Sequence, residues 1–313
     1  MADTSDVQMA FVVDTNPAAA LPVAAAPGNT TWQKINFVSH DFAPQSDTAR
    51  SRVIRPDAAN QEARRFAGGW AGTLAMELAR DTELENLLSY ALRGTWASNV
   101  LKAGVAKTYV AFEEKVLEGA SPFYNRYRGG VLGGFALEVG TDGFADIRFP
   151  VSGLTIEDAT AALANSAYTN AGTAATLHGV DFIGLTLGGF TNPLDVESIS
   201  IDMTNNLRSD RRLGSKDPRA VNWGKRDVTI EFSAYFEDNE ALQKFKADPT
   251  IAATFGFTVS GGTAGFDFQF DRARITSYGK PIPGENQTLM VAMSMVATYD
   301  TTNATDFRIT RRT

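Results

Sequence analysis

The chain has 313 residues, of which 43% are hydrophobic and 21% are charged, and its 29 basic and 36 acidic side chains give a net charge of −7. This acidic balance argues against tight binding to a nucleic-acid backbone, because that binding needs concentrated Lys and Arg. The lack of cysteine excludes disulfides, thiol catalysis and cysteine-ligated zinc. The sequence has no run of about 18 apolar residues and begins acidic, so it predicts neither a membrane helix nor a secretory signal.

The first 30 residues predict an extended N-terminal arm. A short apolar run, residues 9–13, is followed by PAAALPVAAAPG, which offers few side chains that could pack and has a chain breaker near each end. A first domain is predicted over residues 31–153. It opens with a strand at residues 33–39 and continues into a polar loop, residues 41–65, whose length indicates a functional segment or one that a partner orders.

A strand, a tight corner and a short helix follow this loop. Residues 70–79 alternate between larger apolar side chains and small or polar ones, which is the period of a strand with one buried face. The corner at residues 80–82 leads into a helix with Leu84, Leu87 and Leu88 on one side. Further strands, with a tight Asp-Gly hairpin turn before the last, are predicted at residues 109–116, 123–139 and 145–151.

The same unit occurs in the second part of the chain. Residues 154–176, rich in Ala, Thr and Asn, predict a linker, and residues 177–313 predict a second domain. Residues 228–236 alternate strictly between apolar and polar side chains, an acidic corner follows, and Leu242 and Phe245 give the next helix one apolar stripe. The last predicted strands are at residues 266–270, 274–278 and 288–299.

The two units align with each other. A shift of 158 residues lays Leu74 on Phe232. Upstream, a shift of 164 lays Ile35 on Ile199, and residues 205–225 form a second long charged loop. The order of strand, long loop, strand, corner and helix in both halves indicates a duplication. The predicted fold is mainly β (α+β), with two tandem β-sandwich or barrel domains that each carry a short flanking helix.

Candidate catalytic and metal-binding residues are few. His40 and His178 lie near no Asp or Glu at ligand spacing. The glycines of GGVLGG, residues 129–134, lack the spacing of a phosphate-binding loop and indicate close backbone approach within a sheet. Acidic pairs at residues 142–146 and 267–271 lack the ligand run of an EF-hand loop. We predict no enzyme activity, cofactor or metal, although a carboxylate pair assembled from distant strands stays open.

Two long segments of the second half resemble a known family. They are ESISIDMTNNLRSDRRLGSKDPRAVNWGKRDVTIEFSAYFEDNEALQKF and ITSYGKPIPGENQTLMVAMSMVATYD, which together cover about residues 196–300. They resemble the major tail tube proteins of long, flexible-tailed bacteriophages (the siphovirus type). The shared pattern is a strand, "NN" with a charged loop, a Gly-and-basic entry into a second strand, an acidic corner, a helix and a closing hairpin. The first half matches through the internal repeat more than through motifs.

The resemblance implies a structural virion protein of the phage tail, assembled in the host cytoplasm. Rings of such folds join their inner strands into one barrel and stack into a hollow tube that conducts double-stranded DNA. The implied partners are further copies of the chain, the tape-measure protein, the tail terminator and distal tail proteins, without a membrane. Because simple members carry one tube fold and form hexamers, a duplicated chain implies a trimeric, pseudo-hexameric ring. A first half that is not a tube fold would restore the hexamer.

Two sets of side chains follow as candidates for this role. Alternation predicts that Glu77, Asp202 and Glu231 face the lumen of the tube, where acidic groups would repel DNA phosphates. The resemblance implies that the long loops reach a neighbouring ring and that their cations pair with acidic surface there. These cations are Arg50, Arg52, Arg55, Arg208, Arg211, Arg212, Lys216 and Arg219.

The alternative function is a β-sandwich receptor- or carbohydrate-binding module of the tail tip. Such a module needs exposed aromatic platforms or metal-binding loops. Trp32, Trp70, Trp96 and Trp223 are scattered through the sequence, and Trp70 falls on an apolar strand face. A third class, a hydrolase on a β scaffold, needs a convergent acid or histidine cluster that the sequence does not display.

Overall fold

A computed structural model describes residues 7–15, 30–46, 48–53, 57, 63–65, 68–118, 121–164, 166–282 and 284–313. The first half contains β1 (Val7–Val13), β2 (Thr30–Ile35), β3 (Ser39–His40), β4 (Ala43–Pro44), β5 (Thr48–Arg50), β6 (Ala63–Arg65), β7 (Trp70–Glu77), α1 (Thr82–Leu92), β8 (Trp96–Ala97), β9 (Val100–Lys102), β10 (Val110–Glu118), β11 (Ser121–Leu132), β12 (Gly134–Gly140), β13 (Asp146–Gly153) and β14 (Thr155–Ala159). A short connecting strand, β15, spans Ser166–Thr169.

The second half begins with a 3-10 turn at Gly179–Asp181. It then contains β16 (Phe182–Leu187), β17 (Val196–Thr204), β18 (Arg208–Asp210), β19 (Ala220–Asn222), β20 (Asp227–Tyr235), α2 (Glu240–Ala247), β21 (Ile251–Thr258), β22 (Gly265–Gly279), β23 (Met290–Ala297) and β24 (Arg308–Arg312). The predicted mainly β fold with two short helices is confirmed.

One antiparallel sheet, here called the central sheet, runs through both halves. Its order is β3 and β4 at one edge, then β7, β13, β12, β17, β20, β23 and the C-terminal part of β22 at the other edge. The halves meet where β12 pairs with β17, from Gly134 opposite Thr204 to Gly140 opposite Ser198, without a register shift. The central sheet is therefore continuous across the two halves of the chain.

Each half adds an outer layer in the same strand order. In the first half β1, β10, β11 and β14 are successive neighbours, and in the second half β16, β21, β22 and β24 are. The long strands β11–β12 and β22 pass from the outer layer into the central sheet. The 158-residue offset also separates the ends of β7 and β20, at Glu77 and Tyr235, and the starts of α1 and α2, at Thr82 and Glu240.

The core lies between the central sheet and the outer layer. The predicted apolar face of β20 is buried, as shown by Val228, Ile230 and Phe232, and the stripe of α1 is buried as well. Phenylalanines of the outer strands, such as Phe268, fill the same core. The stripe predicted for α2 is only partly buried: Phe245 stays exposed and stacks on Tyr278 of β22, since α2 lies at the edge of the sheet.

The predicted glycine-rich break falls where the chain changes layers. Gly129 and Gly134 have positive φ angles of 61° and 133°, and a Cβ at Gly134 would overlap the carbonyl oxygen of Met203. Close backbone approach, predicted from GGVLGG, is thus confirmed at the joint between the halves. The hairpin turn predicted after Gly140 connects β12 to β13.

Some segments differ from the sequence predictions. Ile35 ends β2, which pairs with β1 and β15, whereas Ser39 is the residue that pairs with β7. The 164-residue alignment of Ile35 with Ile199 therefore joins strands of different layers. Within the predicted arm, Val7–Val13 form β1, while residues 16–29 lie outside the described residues. Within the predicted linker, β14 and β15 pair with β11 and β2.

The two long loops contain regular structure, contrary to the unpatterned loops expected from the sequence. β5 pairs with β6, and β18 pairs with β19, so each loop carries a two-stranded ribbon. We call these the first ribbon, described at residues 48–53, 57 and 63–65, and the second ribbon, residues 208–222. Both leave the same end of the central sheet, because they connect β4 to β7 and β17 to β20.

Candidate functional site

The exposed face of the central sheet carries a row of carboxylates. Glu77 lies opposite Asp146 in the pairing of β7 with β13, and Asp146 lies opposite Glu138 in the pairing of β13 with β12. The row continues through Ser200 to Glu231. Directly opposed residues of an antiparallel pair project from the same face. Glu77 and Glu231, which lie four strands apart in the sheet, are thus on one surface.

A second row lies beside the first. It passes from Arg148 through Ala136 and Asp202 to Thr229. The three residues predicted for the lumen therefore project from one face, although that this face lines a lumen stays a prediction. Glu138 and Asp146 were missed as members of this surface. The signal for them was the Asp-Gly hairpin turn, which sets β12 against β13 and so brings the two carboxylates together.

The exposed face is acidic overall. Its carboxylates are Glu77, Glu138, Asp146, Asp202, Asp227 and Glu231, and its cations are Arg148 and Arg274. Arg148 lies 3.3 Å from Glu138 and 3.7 Å from Asp146. Arg274 pairs instead with Asp248 at the end of α2, at 2.6 Å. The remaining carboxylates give the surface a negative potential, which repels other anions.

Small hydroxyl side chains separate the acidic groups. A shallow cleft of about 370 Å³ on this face is lined by Ser198, Ser200, Ser233, Ser277 and Ser294 together with Glu138 and Glu231. The Ser294 hydroxyl donates to Glu231 at 3.2 Å and holds that carboxylate against the sheet. The surface therefore offers few long side chains that could protrude and grip a passing molecule.

The ribbons carry the predicted cations. Arg50 and Arg52 of the first ribbon are exposed, and Arg55 lies outside the described residues. All five predicted cations of the second ribbon are exposed as well, namely Arg208, Arg211, Arg212, Lys216 and Arg219. Arg208 lies 3.4 Å from Asp210 of its own ribbon. Leu213, next to Arg212 at the turn, is fully exposed.

The bases of the ribbons lie close together. A cleft of about 590 Å³ is lined by Arg64 and Arg65 from the first ribbon and by Lys216 and Asp217 from the second. Pro218 is buried beside Gly69, which has a positive φ of 69°. The two insertions, which are far apart in sequence, therefore form one basic projection at one end of the sheet.

Buried ionic groups hold the outer layer together. Arg128 donates to Asp14 and to Glu157, each at 3.2 Å, and Asp14 also accepts from the Gly129 backbone N–H. A second cluster joins Arg126 to Glu113 at 2.6 Å. Sequence reasoning missed both because their members are distant in the chain. A buried charge pair that loses one partner leaves an uncompensated charge, so these clusters constrain the fold.

A third group surrounds Glu114. His40 lies 3.6 Å from its carboxylate, and Asn125 and Tyr127 each donate to it at 3.1 Å. The interaction with His40 is the largest cause that holds the pKa of Glu114 below its ordinary value, and it outweighs the opposing effect of burial. In contrast, burial raises the pKa of Glu83, the buried acid in the first turn of α1. His40 thus packs against the core and contacts one carboxylate.

None of the tryptophans forms an exposed aromatic platform. Trp32 and Trp70 are buried, and Trp70 donates to the carbonyl of Arg128 at 2.9 Å. Trp96 is covered by Arg311, 3.8 Å from its ring, and Trp223 is partly buried near two cations. The described ranges contain no cluster of three or more His, Asp or Glu residues arranged for a metal ion. Neither α1 nor α2, the helices of the described segments, is long and apolar enough to cross a membrane.

Comparison with known proteins places this surface in context. The sequence model of the phage tail tube protein family matches residues 4–306, nearly the whole chain. The chain belongs to the phage tail tube protein family. It is therefore a structural protein of the virion tail that assembles with itself into a tube. It is a family of structural proteins and not a known enzyme family. No curated protein matches the sequence.

Proposed function

We propose that copies of this chain join side by side into rings, that the rings stack, and that the acidic face of the central sheet lines the bore. Double-stranded DNA passes through this bore from the virion into the host. The observation that carries the proposal is the row from Glu77 to Glu231, in which Ser200 stands among four carboxylates and which crosses the joint between the halves in register.

An acidic bore suits a conduit that does not recognise sequence. Double-stranded DNA carries one negative charge per about 1.7 Å of its axis, so a protein that binds it tightly must supply cations. Glu138 and Asp202 are instead negatively charged, as the DNA is, and the serines near them have short side chains. The DNA is repelled equally from all sides of such a bore and slides without a preferred stopping point.

The chain provides two tube folds, so we propose a ring of three copies with pseudo-sixfold symmetry. The shared strand order of the two halves and the 158-residue offset support this count. Domain limits of 31–153 and 177–313, joined by residues 154–176 and preceded by an arm at 1–30, stay part of the proposal. Hexameric rings remain the alternative if the first half does not take a place in the barrel.

The ribbons are proposed to contact the next ring. Their cations project from one end of the central sheet, where they can meet acidic groups of a neighbouring copy, and Leu213 adds an apolar tip. An exposed ion pair contributes only about 0–1 kcal/mol. Repetition of these contacts around each ring and along the tube therefore supplies the strength of stacking.

The remaining partners rest on the resemblance to siphovirus tail tube proteins. We propose that the tube polymerises on a tape-measure protein and ends at a terminator and at distal tail proteins, in the cytoplasm of the host. A receptor- or carbohydrate-binding module at the tail tip is not favoured, because the tryptophans lack the exposure that such a site uses.

Electron microscopy of the purified chain, with mass photometry on the same sample, tests the proposal. Hollow tubes or rings with three chains per ring are expected. Six chains per ring would keep the tube and overturn the trimer. A chain that stays monomeric at high concentration, with tape-measure protein added, would overturn the tube itself.

A further inference from the structure

The two halves meet in a continuous antiparallel joint between β12 and β17. At this joint Ala136 of β12 lies opposite Asp202 of β17, and the seven pairs of the joint are in continuous register. Strand β12 is the inner edge of the first half, and β17 is the inner edge of the second. The second half has its own counterpart of β12, and the first half has its own counterpart of β17.

Those two counterparts are the free edges of the central sheet. In the described part of the chain, no strand pairs with the outer edge of β3 and β4, or with β22 beyond Ala273 on the side away from β23. Unpaired strand edges expose backbone N–H and C=O groups and attract other strands. Because the two edges differ, pairing of one with the other between copies is head to tail.

The pairings fix the counterpart of Asp202. Asp202 lies opposite Thr229 of β20. The 158-residue offset places Ala71 of β7 at the position of Thr229, and Ala71 lies opposite Ala43. Ala43 of β4 is therefore the counterpart of Asp202.

The counterpart of Ala136 follows in the same way. Ala136 lies opposite Arg148, and the pairing of Phe149 with Leu74 corresponds to that of Met293 with Phe232. Arg148 thus corresponds to Ala292, which lies opposite Gly279 of β22. Gly279 is the counterpart of Ala136.

We infer that the free edges pair between successive copies in the register of the internal joint, with Gly279 opposite Ala43 of the next copy. In this register Ser277 lies opposite Gln45, and Ile282 lies opposite His40. The inference rests on the proposed ring and adds to it the two edges that meet and the residues that face each other.

The burial of apolar side chains supports this pairing. Val139 of β12 is 4% exposed in the internal joint, where it lies opposite Ile199. Extension of the register three residues past the end of β22 places Ile282, which is 87% exposed, at the position of Val139. Near the other edge, Phe37 is only partly buried against His40, with 5.7 Å between the rings. Pairing of the edges would cover Ile282 as the internal joint covers Val139.

Disulfide trapping tests the register without background, because the chain has no cysteine. The variant carries Gly279→Cys and Ala43→Cys together. A Cβ at Gly279 has room, since its nearest neighbour would be the Ala292 carbonyl oxygen at 3.9 Å. Opposed Cα atoms in an antiparallel pair lie about 4.5–5.5 Å apart, within the 4.4–6.8 Å that a disulfide spans. Within one copy the two positions are on opposite edges of the sheet.

The matched control carries Gly279→Cys and Ser39→Cys. Ser39 is on the same edge and face as Ala43 but four residues, or about 13 Å, away along the strand. On a non-reducing gel after oxidation of assembled rings, the first variant is expected to give covalent multimers at least tenfold more efficiently than the control. A short bis-maleimide repeats the measurement where the disulfide angle is unfavourable.

The outcomes separate the two proposals. Assembled tubes that give no multimers with Gly279→Cys and Ala43→Cys by either reagent, or equal multimers with the control, would overturn the register and leave the tube intact. If the unsubstituted chain forms neither rings nor tubes by electron microscopy, both the proposed function and the proposed joint between copies are overturned.

Discussion

Glu77 lies directly opposite Asp146 in the central sheet, and Asp146 lies opposite Glu138 on its other side. Like charges in directly opposed positions destabilise a sheet. Arg148 offsets part of this repulsion through contacts with Glu138 and Asp146. The acidic face is therefore maintained at some cost to the stability of the folded chain, which is expected of a surface selected for what it repels.

Replacement of Glu77 by Gln is expected to stabilise the chain by about 0.2–1 kcal/mol, because it removes a like-charge pair at nearly constant shape. Urea unfolding at low ionic strength measures the change, and salt should reduce it. Glu197→Gln, at an exposed position early in β17, is the control and should have little effect. An equal increase in the free energy of unfolding for both variants would contradict the cross-strand explanation.

Charge reversal on the acidic face is expected to make the bore retain DNA. In tubes of Glu231→Lys, short fluorescent duplexes should co-sediment at low salt and be released as salt rises, because the new cations release counterions. Asp158→Lys, at the exposed residue of the outer strand β14, is the control with the same charge change. Retention by the control alone would show that the acidic face is not the DNA-facing surface.

Gly134→Ala is expected to break the joint between the halves. Its φ of 133° costs about 1–3 kcal/mol for a residue with a side chain, and the added Cβ would overlap the Met203 carbonyl. The control is Gly140→Ala at the other end of β12, where an added Cβ has no neighbour within 4 Å. Thermal unfolding should show a large decrease in Tm for Gly134→Ala and almost none for Gly140→Ala.

Ile282→Ser is expected to weaken ring formation without unfolding the monomer, because the side chain is 87% exposed in the isolated chain. Loss of a buried aliphatic contact of this size amounts to about 1.5–3 kcal/mol per joint, which corresponds to at least a tenfold weaker association. Mass photometry across a dilution series measures it. Ile282→Val keeps an apolar side chain and should assemble nearly as the unsubstituted chain does.

Glu114→Gln is expected to cost roughly 1.5–3 kcal/mol at pH 7, the range for hydrogen bonds to a charged group. Because the folded-state pKa of Glu114 lies below its ordinary value of 4.5, its contribution is present above that value and is lost as pH falls through the folded-state pKa. The difference in unfolding free energy between the two chains should therefore shrink below about pH 4. A pH-independent difference would assign the effect to packing.

The local pattern of the central sheet could be predicted from sequence, since alternation alone assigned Ile230 to the core and Glu231 to the exposed face. Pairing between distant strands could not. The acidic row depends on Glu138, which lies on the same face as Asp202 only because β12 of the first half pairs with β17 of the second half. The ribbons were missed because their strands are three residues long, too short for a period to emerge. Ile35 was assigned to the wrong layer because Ile35 and Phe37 have the same spacing as Ile199 and Ile201, although β2 ends at Ile35.

The β12–β17 joint is made inside one polypeptide, where the tether keeps its two edges at an effective concentration that free subunits rarely reach. In the proposed ring of three such chains, every second contact between tube folds forms during folding and needs no collision between molecules. Assembly then has fewer bimolecular steps, and a half-built ring has fewer places from which to lose a subunit. For a tail that adds ring after ring, covalent linkage of neighbouring folds makes assembly of each ring faster and more accurate.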